Sequence, residues 1–176
     1  HFVWPEAFLH PEYRVPVDWD KPILKLSGRS SIKQNCDKSD KFVTTFLHRN
    51  KPFILCISGI STSGKSTVSN YIEKKFGFGV IHLDDYVFND RKKLPKFSLE
   101  NVTGINYELP ESIDWESFVS DLMNLNKYKN YIIDGFIPFY SNEILSFVDC
   151  LIDIEFNENE YSVALQRRVK RDTGNN

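Results

Sequence analysis

A glycine-framed loop between an apolar run and a helical pattern constrains the fold of this chain more than any other feature. The loop reads Gly59-Ile-Ser-Thr-Ser-Gly64-Lys65-Ser66 and fully matches the pattern G-x-x-x-x-G-K-[S/T]. The run before it, residues 53–58, is almost entirely apolar, as expected for a buried parallel strand. After the loop, apolar residues recur at helical spacing as far as Gly77: Val68, Tyr71, Ile72 and Phe76. This succession of an apolar run, a glycine-framed loop and a helical pattern predicts a strand, an anion-binding loop and a helix.

The composition of this loop suits a bound polyphosphate. Gly59 and Gly64 let the backbone between them turn successive N–H groups inward, towards the positive end of the following helix. We expect Lys65 to reach the β- and γ-phosphates, and the Ser66 hydroxyl to coordinate Mg²⁺. The residues predicted to bind the nucleotide are Gly59, Ser61, Thr62, Ser63, Gly64, Lys65, Ser66 and Thr67. The loop therefore predicts an ATP or GTP site, with ATP and Mg²⁺ as the expected ligands.

Short apolar runs alternate with helical patterns through the chain. The predicted strands are residues 22–26, 53–58, 80–83, 131–134 and 148–154. The predicted helices are a short one around residues 42–47, one from Ser66, one from Pro110 and a polar one from about 158 to 171, whereas residues 89–106 are expected to form a loop. This alternation predicts an α/β protein, a P-loop NTPase three-layer α/β/α fold with a central parallel five-stranded sheet. At 176 residues, the whole chain is expected to form a single domain.

Composition excludes several classes of protein. A formal net charge of −2 argues against a nucleic-acid binder that works by global positive charge. No apolar run reaches the length of a membrane span, and residues 1–5 do not begin a signal peptide. Cys36, Cys56 and Cys150 are widely spaced and fit neither a disulfide framework nor a zinc pattern. We therefore expect a cytoplasmic protein with reduced thiols.

Carboxylates follow two of the predicted strands. Asp84 and Asp85 come directly after the strand at 80–83, and Asp134 ends the strand at 131–134. Because neighbouring parallel strands open into one crevice at their carboxyl ends, Asp84 is expected to accept a proton from an attacking hydroxyl or to hold Mg²⁺. Asp134 is expected to coordinate Mg²⁺ or to orient bound water. The structural alternatives are a solvated loop for the aspartate pair and a turn for Asp134.

The last predicted helix carries a cluster of arginines. Arg168 and Arg171 are three residues apart and share a helix face, beside Arg167. They could converge on phosphate oxygens or on ribose hydroxyls. The alternative is a solvated basic face.

Five segments together resemble a known family. The stretch Ile57 to Thr67 resembles the uridine kinase-like group of P-loop nucleoside kinases, and the other four narrow the resemblance to nicotinamide riboside kinases. In family order these are His82-Leu-Asp-Asp-Tyr86, Asn106-Tyr-Glu-Leu-Pro-Glu-Ser-Ile-Asp114, Ile133-Asp-Gly-Phe-Ile-Pro-Phe139 and Arg167-Arg-Val-Lys-Arg171. The resemblance covers about residues 53–172.

The resemblance implies a role for each matching residue. Asp84 would be the general base for the ribose 5′-hydroxyl, acting with Lys65 and Arg168 as the catalytic set. Tyr107 would stack on the base, while Glu108 and Arg168 would hold the ribose hydroxyls. The remaining implied contacts are Tyr86 with the substrate, Arg171 with the nucleotide, and Ser66 and Asp134 with Mg²⁺. Two positions depart from the family: Glu108 replaces an aspartate, and Val87 replaces a second aromatic that would clamp the base.

The beginning of the chain resembles the C-terminal portion of the same family. Residues 1–8 and the strand–helix unit at 22–47 stand before the phosphate loop here, whereas in the family they follow the lid. We interpret this order as a circular permutation cut in the lid, or as segments joined in another order, with an unrelated N-terminal extension as the alternative. In a permuted fold, this strand and helix would pack beside the strand that starts at Phe53.

The leading hypothesis is an ATP-dependent kinase that phosphorylates the 5′-hydroxyl of a ribonucleoside. The resemblance implies nicotinamide riboside as the substrate and nicotinamide mononucleotide, in NAD synthesis, as the product. A uridine/cytidine or other small-metabolite kinase is the alternative within the group, and a nucleotide-binding regulatory module without turnover is the alternative from another class. We expect a monomer or small homo-oligomer that binds a nucleoside, and neither a nucleic acid nor a membrane.

Overall fold

The fold is built on a sheet of five parallel strands. The computed structural model describes residues 19–49, 51–99, 102–107, 109–136, 140, 142–156 and 161–173. Its strands are β1 (Ile23–Ser27), β2 (Ile54–Gly59), β3 (Gly79–His82), β4 (Lys96–Leu99), β5 (Val102–Ile105), β6 (Tyr131–Gly135) and β7 (Cys150–Glu155). The central sheet has the order β1-β7-β2-β6-β3, and β4 pairs with β5 in a separate antiparallel hairpin. The phosphate loop follows the middle strand.

Five α-helices accompany the strands in the described part of the chain: α1 (Ile32–Leu47), α2 (Lys65–Phe76), α3 (Trp115–Met123), α4 (Asn142–Phe147) and α5 (Tyr161–Thr173). Local chemistry sets several of their ends. Ser31 and Gln34 form a capping box at the start of α1, and the Asp114 carboxylate accepts from the Ser117 amide at the start of α3. Gly77 ends α2 in a left-handed conformation, with φ of 72°.

Helices cover both faces of the sheet. Side chains alternate along β2, so Leu55 and Ile57 enter one apolar core while Cys56 enters the other. The first core also takes Val43 and Phe46 from α1 and Val68 and Ile72 from α2. The second takes Phe118 and Leu122 from α3 and Ile144 and Leu145 from α4. These two cores confirm the prediction of an α/β fold with a central parallel five-stranded sheet between helical layers.

Four elements differ from the sequence predictions. Residues 89–106 are not a loop throughout, because β4 and β5 pair in an antiparallel hairpin, and of the two only β4 shows a polar–apolar alternation. The helix α1 is much longer than predicted, since its polar first half still has Asn35 and Cys36 buried. A 3₁₀ turn occupies Pro110–Ser112, so α3 begins only at Trp115 and not at Pro110. The short helix α4 was not predicted.

The N-terminal strand–helix unit joins the same sheet. β1 pairs in parallel with β7 at the sheet edge, so the expectation that this strand would lie beside the Phe53 strand is wrong by one position. The helix α1 does pack there, since the rings of Phe46 and Phe53 are 5.3 Å apart. Residues 1–8 lie outside the described residues.

Two other sequence expectations concern the cysteines and the helices. Cys36, Cys56 and Cys150 are buried and free, and desolvation by burial raises the pKa of all three thiols. Within the described ranges, the helices are too short or too polar to cross a membrane.

One buried carboxyl group, Asp153, lies in the sheet beside the strand that leads into the phosphate loop. It is 8% exposed and stands in register with Lys25 of β1 and Ser58 of β2. Burial, and then Glu155 on the same face of β7, raises its pKa to about 7, against the opposing effects of Lys25 and of a hydrogen bond with Ser58. Because the folded protein holds this proton and the unfolded chain releases it near pH 4, Asp153 makes stability pH-dependent.

We predict that Asp153→Asn gains stability relative to the wild type as the pH rises. Between about pH 4 and pH 7 the wild type loses on the order of 1.4 kcal/mol per pH unit through this carboxyl group, and the amide does not. Urea unfolding of both proteins at pH 5, 6, 7 and 8 measures the difference, in which titrating groups that do not interact with residue 153 cancel. A difference that is constant across this range would contradict the assignment.

Candidate nucleotide-binding and active site

The phosphate loop contains three residues at positive φ. Gly59 has φ of 151°, and a Cβ on it would lie 2.6 Å from the Ile154 carbonyl oxygen of β7. Gly64 has φ of 100°, and a Cβ on it would meet nothing within 4 Å. Thr62, with φ of 68°, is the one residue other than glycine at positive φ among those the structure describes. The first glycine is thus required by close packing on β7, while the second borders open space.

Hydrogen bonds fix the loop and join it to α2. The amide of Ser63 donates to the Ile60 carbonyl, and the amides of Thr67 and Val68 donate to the Gly64 carbonyl. The Ser63 side chain is buried, whereas Ser66 and Thr67 are exposed at the start of α2. Gly64 supplies no side-chain cap at the start of α2, and the N-terminal end of a helix favours an anion.

Lys65 and Asp84 both lie within electrostatic reach of Asp134. Lys65 begins α2, and its Nζ donates to the Ile60 carbonyl at 3.3 Å. Asp134, near the end of β6, is 5% exposed, and desolvation by burial raises the pKa of its carboxyl group. The charges of Lys65 and His82 oppose this rise in pKa, and the charge of Asp84 adds to it. The three predicted residues therefore share one electrostatic environment.

Packing between strand ends brings the Asp84 turn to Asp134. Asp84 and Asp85 are exposed and belong to a 3₁₀ turn, Leu83–Tyr86, that directly follows β3. A Cβ on Gly135 would lie 2.9 Å from Leu83, so glycine after Asp134 lets this turn approach closely. The two strand ends are thereby held side by side.

His82 is a site residue that the sequence reasoning did not single out. Its Nδ1 lies 3.3 Å from Oδ2 of Asp134, and the two residues are in register across β3 and β6. No donor among the described residues reaches that Oδ2 in good hydrogen-bond geometry. The contact with His82 is therefore a close approach without hydrogen-bond geometry, and Oδ2 is a buried oxygen that could accept from a further donor or bind a cation. The signal available in the sequence was the position of His82 at a strand end, two residues before Asp84.

The residues predicted to bind the acceptor substrate lie in different surroundings. The ring of Tyr86 packs edge-on against Phe118 at 4.9 Å, and its hydroxyl donates to Asp121 at 2.7 Å. Burial and Asp121 raise the pKa of Tyr86 to about 12. These contacts attach Tyr86 to α3 rather than leaving its ring open. Tyr107 is 47% exposed after β5, and Glu108 lies outside the described residues.

Helix α5, which carries the predicted arginines, contacts the phosphate loop. Arg167 donates to the Gly28 carbonyl at 2.8 Å and lies over the Phe156 ring, so it fixes α5 to the end of β1. Arg168 is half-buried on the same helix, which also includes Arg171. The loop touches this helix directly, because Oγ1 of Thr62 donates to the Ala164 carbonyl at 3.0 Å. The sequence showed the arginines but not this link.

The strand order, the two helical layers and the loop after the central strand define an α/β protein consistent with a P-loop NTPase-like kinase fold. The chain is similar to uridine-cytidine kinase B of Dictyostelium discoideum, with 25% identity over 153 residues, 71% of this chain and 60% of that protein. It is also similar to the uridine kinases of Ligilactobacillus salivarius and Bacillus thuringiensis, at 37% and 34% identity over 82 residues, 46% of this chain and 37% of each relative.

These matches support the resemblance to the uridine kinase-like group at modest identity. They span no more than 60% of the length of the three relatives. They support neither nicotinamide riboside kinase in particular nor a permuted order of segments. No protein-family model matches the chain.

We predict that Gly59→Ala destabilises the protein more than Gly64→Ala. Both changes put a Cβ at positive φ, but only the one at residue 59 also collides with backbone. The expected loss in free energy of unfolding is about 2 kcal/mol or more at residue 59 and about 1 kcal/mol at residue 64. Urea unfolding of the nucleotide-free proteins measures both, and equal losses would contradict the close packing on Ile154.

Proposed function

We propose that this protein is a Mg²⁺-dependent ATP:ribonucleoside kinase that phosphorylates the 5′-hydroxyl of its substrate. The observation that carries the proposal is the shared environment of Lys65, Asp134 and Asp84 beside a glycine-framed loop. Phosphoryl transfer depends mainly on positioning and on charge stabilisation, and a cation, a buried carboxylate and an exposed carboxylate supply both. The similarity to uridine kinases supports the same conclusion independently.

Each candidate site residue has a proposed part in the reaction. Lys65 leaves its contact with the Ile60 carbonyl and binds the transferred phosphate. The loop amides bind the other phosphates of the donor nucleotide. Asp84, which is exposed and therefore accessible to an acceptor, takes the proton of the attacking hydroxyl. Arg168 holds the ribose hydroxyls or the phosphate oxygens, Arg171 contacts the nucleotide, and Tyr107 and Glu108 complete the acceptor site.

The site fits a magnesium ion. Oδ2 of Asp134 is a buried carboxylate oxygen without a well-formed hydrogen bond from the described residues, and Ser66 is exposed at the start of α2. A carboxylate and a hydroxyl are ligands that Mg²⁺ accepts while phosphate oxygens and water complete its shell. When bound, the ion would neutralise charge on the transferred phosphate. Asp134 and Ser66 would hold it.

The relatives favour a pyrimidine ribonucleoside as the acceptor. The three similar proteins carry the names uridine-cytidine kinase or uridine kinase. Nicotinamide riboside, which the sequence motifs favoured, is the second candidate. The departures at Glu108 and Val87 from the nicotinamide riboside kinase pattern count against that nucleoside. We expect the enzyme to act in the cytoplasm as a monomer or small homo-oligomer.

We predict turnover with a ribonucleoside in a small substrate panel. The purified chain with ATP and Mg²⁺ is incubated with uridine, cytidine, nicotinamide riboside or pantothenate, and release of ADP is followed. The expected result is turnover with uridine or cytidine, none with pantothenate, and loss of activity when EDTA removes Mg²⁺. Binding of ATP without turnover on any nucleoside would instead indicate a nucleotide-binding regulatory module.

The proposed base is tested in the same assay by replacing each of two adjacent aspartates with asparagine in separate variants. Asp84→Asn is expected to lower kcat by about 10² to 10⁴-fold at unchanged ATP affinity. Asp85→Asn is the matched control, because it removes a charge from the next position of the same turn and is expected to leave kcat far closer to the wild type. Equal effects of the two changes would remove the assignment to Asp84.

We also propose that the chain is a single domain with a permuted order of segments. β1 takes the place beside β7 that a strand following α5 would take, and Arg167 of α5 already contacts Gly28 at the end of β1. Moving residues 1–50 behind residue 176 through a flexible linker is therefore expected to preserve ATP binding and the melting temperature. Failure of the relocated protein to fold would contradict the permuted order.

A further inference from the structure

Thr62 adopts a backbone conformation that its side chain disfavours. Its φ of 68° lies in the left-handed region, where a β-branched residue is a clear outlier. A residue held in this region costs the fold on the order of 1 to 3 kcal/mol, so surrounding contacts must maintain it. Such outliers are concentrated at functional sites, and Thr62 lies at the middle of the phosphate loop.

The contact that holds Thr62 comes from a distant part of the chain. Oγ1 of Thr62 donates to the carbonyl oxygen of Ala164 at 3.0 Å, across 102 residues of sequence. Ala164 is fully buried in the first turns of α5. A helix carbonyl has a second lone pair to offer, so it can accept this bond without ending the helix. The side chain of Thr62 is thus hydrogen-bonded to helix α5.

The same helix carries the arginines of the site. Arg167 and Arg168 stand three and four residues after Ala164, and residues at these spacings share a helix face. Arg167 connects that face to Gly28 at the end of β1. One hydrogen bond thus links the loop backbone at Thr62 to the helix that carries Arg167 and Arg168.

We propose that Thr62 is a positioning residue that couples occupation of the phosphate loop to the placement of α5. When a nucleoside triphosphate fixes the loop amides, the Thr62–Ala164 hydrogen bond holds α5 and its arginines in place for the acceptor. By reciprocity, an ordered α5 favours triphosphate binding to the same degree. The proposal rests on the proposed function in one respect, namely that the loop binds the donor nucleotide.

Thr62→Val and Thr62→Ser form a matched pair for the test. Valine keeps the β-branched shape and the backbone strain but removes the hydroxyl, whereas serine keeps the hydroxyl. Trypsin reports the state of α5 directly, because its sites there are Arg167, Arg168, Lys170 and Arg171. Cleavage rates at these sites are measured by mass spectrometry with and without saturating Mg²⁺ and a non-hydrolysable ATP analogue, and calorimetry measures binding of the analogue.

For the wild type and Thr62→Ser, the analogue is expected to slow cleavage within α5 by about fivefold or more, the lower range of an allosteric coupling. Thr62→Val is expected to lose this protection at saturating analogue and to bind it more weakly by a similar factor. Protection of Thr62→Val equal to that of the wild type would overturn the proposal. So would a loss of melting temperature in Thr62→Val with protection unchanged, since that result describes a purely structural hydrogen bond.

The outcome is separable from that of the proposed function. Protection of α5 by the analogue without turnover on any nucleoside would reject the kinase and leave the coupling standing. Turnover on a nucleoside with no protection of α5 in the wild type would reject the coupling and leave the kinase standing. Kinetics of the two variants add an independent readout, because Thr62→Val is expected to change the KM for ATP and the kcat together, while Thr62→Ser restores both.

Discussion

The parallel pairing of β2 with β6 on one side and β7 on the other is the constraint on which the site depends. It places the carboxyl ends of three strands at one edge, with Ile57 in register with Asp134 and Ser58 in register with Asp153. The phosphate loop leaves the central strand at this edge, and its first glycine lies against the Ile154 carbonyl of β7. A Cβ there would force the loop off the sheet, so loop geometry and strand pairing are one requirement.

The parts of the fold that repeat a strong local pattern could be predicted from sequence. The glycine loop, the strand before it and the apolar spacing behind it agree with one another, and β2 and α2 lie where this pattern indicates. The hairpin β4–β5 and the helix α4 were missed because each is four to six residues long, too short for a period to stand out. The later start of α3 depends on the Asp114 cap, which competes with the earlier proline as a start signal.

In the candidate site, too, the sequence indicates some residues and gives no signal for others. Lys65, Asp134 and Asp84 were predicted because each stands at the end of a strand or at the start of a helix, where topology alone fixes the neighbours. Other contacts depend on which atoms of a distant element come within reach, and the sequence spacing does not show this. Examples are the contacts of Tyr86, His82 and Thr62. Tyr86 shows the difference well, because its hydroxyl donates to Asp121 on α3, 35 residues away, and nothing in the spacing of the two residues indicates that bond.

The two buried carboxylates at this edge show how the fold separates a site residue from a structural one. Asp134 follows Ile132 on the face covered by α2, where the positive charges of Lys65 and His82 oppose the rise in its pKa. Asp153 follows Leu151 on the other face, where Glu155 adds a like charge and the pKa reaches about 7. A carboxylate binds a cation in its ionised form, and the charge of Lys65 favours that form of Asp134, although burial still leaves the pKa raised. The face of the sheet to which each aspartate points therefore decides whether cations or a like-charged carboxylate lie beside it.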